Sequence, residues 1–162
     1  EDTIIINIQG DEPFIQPSQI EAIKSCFPTE IATLVKPYTT DDTLADLENP
    51  NTPKVVFSEI DHHAVLFSRS VIPYLRGIDK QDWLAQGKHY RHIGMYAYRA
   101  DVLKKITQLP QSPMEKAESL EQLRWLENGY QIRVAVCDTY SIGIDTPDDL
   151  AQAIAYLNKN NK

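Results

Sequence analysis

Two aspartates far apart in the chain stand where carboxylates can hold a hard cation. Asp11 follows Gly10 in "NIQGDEP", just past an apolar run, and Asp145 follows Gly143 in "GIDTPDDL", just before a helix start. Mg²⁺ takes one or two protein carboxylates and leaves its other positions to water and phosphate oxygens. Two acids on separate loops at the mouth of a sheet meet that need. Each also has a purely structural reading. Gly, Asp and Pro are turn formers, and an acid beside a helix N-terminus is favourable by about 0.3–1 kcal/mol.

Three further groups could bind a polar ligand. His92 and Tyr96 in "YRHIGMYAYR" share one face of a strand, and Gly94 between them leaves a gap where a hydroxylated ligand could lie. The alternative is an ordinary solvent-facing strand with two aromatic edges. Glu121, beside Gln122, falls on an ideal helix on the same side as Met114, Ala117 and Trp125, with Lys116 and Arg124 pointing elsewhere. A carboxylate on an apolar face is costly unless it is paired or bound; the alternative is a half-buried face from which Glu121 reaches water. Arg69 ends "AVLFSR", and a guanidinium suits a planar carboxylate through two parallel hydrogen bonds. Other chemistries find no support. His62 and His63 lie in a hairpin turn without further ligands at zinc spacing, and GxSxG, GxxxxGK[ST] and GxGxxG are absent from the sequence.

The elements that must position these residues are those of an α/β fold with a mixed sheet. Residues 4 to 8 read as a strand buried on both faces, as in a parallel sheet. Pro17 opens a helix with Ile20 and Ile23 inward. "IATLVKPY" is a strand, and 39 to 53 is a loop with one helical turn at Leu44 to Leu47. "KVVFSEIDHHAVLFSRS" is an antiparallel hairpin, and 77 to 89 is a polar surface excursion. Residues 101 to 108 form a helix. "SPMEKAESLEQLRWLENG" is one helix, with Ser112 and Glu115 as a capping box, Pro113 at its first position and Gly129 at its end. "QIRVAVCD" is a strand, and a helix follows Thr146.

Bulk properties exclude several classes. The 162 residues are 42% hydrophobic, enough for one cored domain. A net charge of −7 disfavours nucleic acid and anionic membranes as partners, and the sequence has no apolar run long enough to cross a bilayer. Two cysteines without a CxxC pair suggest free thiols in a reducing compartment.

The segments "NIQGDEPFIQP", "VLFSRSVIPY", "RHIGMYAYR", "SPMEKAESLEQLRWLENGYQIRV" and "GIDTPDDL" occur in this order. On them, the chain resembles, over essentially its whole length, the 3-deoxy-manno-octulosonate (Kdo) cytidylyltransferase family, the CMP-Kdo synthetases. QGDEP followed by RHxGxYxYR and ESLEQLR separates that family from sialic acid and methylerythritol cytidylyltransferases. The resemblance implies a single, incomplete three-layer, Rossmann-like nucleotidyltransferase domain over 1–162. Its hairpin would serve in dimerisation, and the strand and phosphate loop that precede Glu1 in the family would be missing. It implies joining of CTP and Kdo to give CMP-Kdo and diphosphate for lipopolysaccharide synthesis, in the cytoplasm, by a homodimer that needs Mg²⁺. Asp11 and Asp145 would be the catalytic metal ligands and Gln9 a nucleotide contact. Arg69, His92, Tyr96, Glu121 and Gln122 would bind Kdo. Without the phosphate loop this chain alone is expected to be inactive. The alternatives are another sugar-acid nucleotidyltransferase, or a non-catalytic dimerisation or binding half of a split enzyme.

Overall fold

The computed structural model describes residues 3–8 and 15–139, together with Ala151 and Ile154. Gln9, Asp11, Asp145 and the expected helix after Thr146, except Ala151 and Ile154, lie outside the described residues. Among the described residues, six strands form one mixed sheet: β1 (Ile4–Asn7), β2 (Ile31–Pro37), β3 (Lys54–Phe57), β4 (Ala64–Ser68), β5 (Tyr90–Arg99) and β6 (Ile132–Val136). The order is β4-β3-β5-β2-β6, and β1 also pairs with β5. β5 runs antiparallel to β1, β2 and β3, whereas β2 and β6 are parallel. β1, β2 and β6 therefore point the same way. Their carboxyl ends leave one edge of the sheet, the edge at which α/β proteins hold ligands.

The strand alternation in β5 is as the sequence reads. Ile93, Met95 and Ala97 enter a core with Ile23 and Leu34, and Tyr96 and Tyr98 enter the opposite core with Phe67, Leu123 and Trp125. One irregularity interrupts it. Thr33 lies opposite Tyr96 but Leu34 lies opposite Ile93, so β5 bulges at Gly94 and Met95.

β1 departs from expectation. Its pairing is antiparallel, to β5, and Ile4, Ile5 and Ile8 are 40%, 39% and 48% exposed rather than buried on both faces. Among the described residues its second edge has no strand partner, so the apolar run is covered from one side.

Helix α1 (Pro17–Ser25) has Pro at its start and buries Gln19 and Ile23, and α2 (Leu44–Glu48) is the single turn expected within its loop. The excursion after β4 is less superficial than its polar composition suggests. A 3₁₀ turn (Lys80–Asp82) and α3 (Trp83–Gln86) bury Trp83 against Tyr38 and Leu47, and His89 is buried beside it. The loop before β3 is held from within. Lys54 is fully buried, and its Nζ donates to the carbonyls of Asn49 and Thr52, both at 2.8 Å. Burial, and then the charge of Arg69, lower its pKa.

The long helix expected over 112–129 is two helices. After α4 (Ala100–Ile106), α5 (Pro113–Glu118) begins with the Ser112 capping box and stops at Ser119, in left-handed conformation at φ 51°, ψ 48°; α6 (Gln122–Glu127) then begins. The cause lies fifty residues away in the chain. The Arg69 guanidinium donates to the carbonyls of Glu118 at 2.6 Å and Ser119 at 3.2 Å, satisfying the end of α5 in place of the next helical turn.

Candidate active site

The break at Ser119 decides where Glu121 stands. It does not share an apolar face with Met114 and Ala117. Its side chain is 64% exposed, and Arg124, expected to point away, brings Nη2 to 3.8 Å from its carboxylate. The reading in which Glu121 reaches water is the one observed. Gln122, the first residue of α6, is buried.

Arg69 is tied to the same junction. Besides Glu118 and Ser119, it donates through Nη1 to Pro50 O at 2.8 Å. The Glu118 carboxylate accepts from the Arg69 amide and from Ser68 Oγ, each at 2.7 Å. The end of β4 and the end of α5 are thus brought together, and three donors of Arg69 are taken by backbone carbonyls. Glu118 escaped sequence reasoning because its partners come from β4; nothing local marks it.

His92 and Tyr96 form the floor. The half-buried imidazole lies edge-on to Phe67, with ring centroids 5.2 Å apart, and 5.3 Å from the Tyr96 ring. Tyr96 packs edge-on against Trp125 at 5.2 Å and stacks with Tyr98 at 5.9 Å. Its hydroxyl is buried with no hydrogen-bond partner among the described residues. Burial, then the phenol of Tyr98 and the carboxylate of Glu121, raise its pKa well above the ordinary value, so the group keeps its proton and can donate a hydrogen bond to a ligand. An ordinary solvent-facing strand would not bury that hydroxyl. Beside this floor, a cavity of about 360 Å³ is lined by Asn7, Tyr98, Glu121 and Trp125, among others. Its walls thus include the end of the strand that leads to Asp11. Sequence reading gave Tyr98 and Trp125 no role in the site.

Thr33 is the partner that sequence reading missed. This fully buried residue of β2 has its Oγ1 2.9 Å from His92 Nε2, 2.8 Å from Met95 O and 3.3 Å from Ile93 O. A lone hydroxyl within "IATLV" was the available signal.

Burial pushes His92 down to about 4, from 6.5. The folded value lies below the unfolded one, so between them the unfolded chain binds more protons. His92's contribution to stability is full above about pH 6.5 and is lost as pH falls toward about 4, a loss of about 3 kcal/mol. Urea midpoints across that window should fall less steeply in His92→Gln than in the parent. The buried His89, also shifted down by desolvation, keeps part of the slope. Equal slopes would contradict the burial of His92.

Among the described residues no three His, Cys, Asp or Glu side chains converge as a metal site, and no helix is long and apolar enough to cross a membrane. Cys26 and Cys137 are free thiols.

The sequence model of the family described as "Cytidylyltransferase" matches residues 1–132. A 3-deoxy-manno-octulosonate cytidylyltransferase of Bacteroides thetaiotaomicron is 60% identical over 95% of this chain and 62% of its own length. One of Porphyromonas gingivalis is 55% identical over 95% of this chain and 61% of its own length. A solved structure of CMP:2-keto-3-deoxy-manno-octonic acid synthetase complexed with CTP superposes with a TM-score of 0.83 at 37% identity, covering 97% of this chain and 62% of that one. The chain thus spans a little over three-fifths of the length of the curated relatives it matches. An inositol-1-phosphate CTP transferase from T. maritima, at 17% identity and a TM-score of 0.50, shares the fold alone. The mixed sheet, its shared exit edge and the match over residues 1–132 agree: the chain belongs to the cytidylyltransferase family.

Proposed function

We propose that the full-length protein transfers the cytidylyl group of CTP to Kdo, releasing diphosphate and supplying CMP-Kdo for lipopolysaccharide synthesis. The observation that carries this reading is the common direction of β1 and β6. Asn7, Tyr96, Thr33 and Val134 form one row across four strands, so the exits of β1 and β6 stand about 14 Å apart. Asp11 follows Asn7 by at most about 14 Å of chain and Asp145 follows Val136 by at most about 30 Å, so the two carboxylates can meet over the row that carries Tyr96. The names and identity of the relatives support Kdo as the acceptor.

Two carboxylates are a hard-oxygen donor set suited to Mg²⁺, and Asp11 and Asp145 would hold it. The ion would supply charge neutralisation at the phosphates. The chain's own residues bind and orient. Gln9 contacts the nucleotide. Tyr96 donates its hydroxyl to the sugar acid, His92 and Gln122 offer neutral hydrogen-bonding groups, and Glu121 accepts from sugar hydroxyls at the rim. Arg69 faces the carboxylate with the donors its carbonyl partners leave. The anomeric hydroxyl attacks the α-phosphorus in line and gives up its proton to water, the new O–P bond forms as the bond to diphosphate breaks, and catalysis is chiefly positioning. The enzyme works in the cytoplasm as a homodimer joined through the β3–β4 hairpin, where Ile60 and Val65 are 96% and 65% exposed.

Diphosphate release tests the reading. Full-length protein with Mg²⁺ should turn over CTP with Kdo in preference to sialic acid, and CTP in preference to other nucleoside triphosphates; equal or better use of another sugar acid would overturn it. The 162-residue chain alone should show no turnover in the same assay.

A further inference from the structure

We propose that Thr33 is a positioning residue that fixes His92 as the tautomer protonated on Nε2, so that Nδ1 offers a lone pair to a hydroxyl of the bound ligand. This rests on the proposed reading only for the identity of that ligand as a sugar acid.

The argument is a count of protons. The Thr33 hydroxyl has one hydrogen. Two backbone carbonyls and one ring nitrogen surround its oxygen: Met95 O at 2.8 Å, Ile93 O at 3.3 Å and His92 Nε2 at 2.9 Å. Carbonyl oxygens only accept. Met95 lies in the bulge of β5 and Ile93 borders it, where the ladder to β2 is interrupted, and a buried carbonyl left without a donor is costly. The hydroxyl hydrogen therefore goes to the carbonyls, with Met95 O the nearer. The oxygen lone pair then faces His92 Nε2, which must be the donor. A neutral imidazole has one N–H, so Nδ1 is an acceptor, and it makes no hydrogen bond among the described residues.

The surroundings keep the ring neutral and its orientation fixed. Phe67 lies edge-on at 5.2 Å and Tyr96 at 5.3 Å, and burial lowers the pKa. The acceptor at Nδ1 is complemented by a donor on the neighbouring ring, the buried Tyr96 hydroxyl, which has no hydrogen-bond partner among the described residues. A lone pair and an O–H on adjacent rings fit a polyol, whose hydroxyls both give and take hydrogen bonds. They do not fit an isolated carboxylate, which accepts only. The bulge, Thr33 and His92 thus form one device: the bulge brings the Met95 carbonyl to the Thr33 hydroxyl, the hydroxyl donates its hydrogen there, and its oxygen sets the direction of the histidine's proton.

Two measurements on the full-length protein test this. Long-range ¹H–¹⁵N spectra of the histidine rings, with His92 assigned through His92→Gln, should show a protonated Nε2 and a pyridine-type Nδ1 before any ligand is added. A protonated Nδ1 in the parent would overturn the proposal whatever the protein's substrate. In Thr33→Val the Nε2–H signature should be lost or mixed, and in Thr33→Ser it should be retained. In steady-state assays Thr33→Val should raise KM for Kdo about tenfold, the worth of one neutral hydrogen bond, with KM for CTP unchanged and Thr33→Ser near the parent. A parallel rise in both KM values, or a serine variant as impaired as the valine one, would also overturn it. If Thr33→Val fails to fold, the parent spectrum and Thr33→Ser still decide. If Kdo is not turned over at all while the parent spectrum is as expected, the substrate reading fails and the tautomer assignment stands.

Discussion

In Asp11→Asn, CTP-dependent diphosphate release by the full-length protein should fall on the order of 10³-fold, with the thermal unfolding midpoint within a few degrees of the parent. The substitution keeps the size and hydrogen-bonding capacity of the side chain and removes its charge. A carboxylate that holds a divalent ion against phosphates supports several kcal/mol of transition-state stabilisation, and each 1.36 kcal/mol is a factor of about ten in rate. Asp11 lies four positions beyond Asn7, the last residue of β1, so the change leaves the paired strand untouched and the fold should tolerate it. Titrating Mg²⁺ into both proteins adds a second reading, since the variant should need far more of the ion for its residual rate. Turnover within a few-fold of the parent would remove Asp11 from the proposed metal site.

The largest expected effect on stability belongs to Arg124→Ala. Arg124 Nε donates to Glu115 at 2.7 Å, Nη2 donates to the second carboxylate oxygen at 2.5 Å, and Nη1 reaches Leu109 O at 3.1 Å. Glu115 is only 5% exposed, and the hydrogen bond from Arg124 holds its carboxyl below the ordinary range. Removing the guanidinium leaves a buried carboxylate without its countercharge, a loss of about 3–5 kcal/mol. Urea unfolding should show it as a lower midpoint at unchanged m-value. Glu115→Gln combined with Arg124→Met should recover most of the loss, because the cost lies in the orphaned charge more than in the pair itself. A single variant within about 1 kcal/mol of the parent would show that the α5–α6 junction does not depend on the pair.

Local chemistry made much of this fold legible. The capping box at Ser112, Pro at the first position of α1 and α5, the hairpin of "KVVFSEIDHHAVLFSRS" and the alternation of β5 each follow from interactions within a few residues, and each is in the structure. What escaped reading depends on partners distant in sequence. The unbroken periodicity of 113–128 conceals the stop at Ser119 because the donor that ends α5 is Arg69. The polar excursion conceals Trp83 and His89 because their cover comes from Tyr38, Leu47 and Leu75. β1 was recognisable as a strand, but its direction relative to β5 is not written in four isoleucines. For the site, His92 and Tyr96 were found because a strand's period is local. The proton direction of His92 was not, because it is set by a hydroxyl on the neighbouring strand.

The enclosed amine of Lys54 has a use beyond the fold. Acylating reagents attack amines in water, and this one is held between two carbonyls with none of its surface exposed. Its modification therefore waits on the lifting of residues 49–53, and the rate at which that single lysine is tagged in the native protein becomes a clock for the opening of the loop that Arg69 also grips.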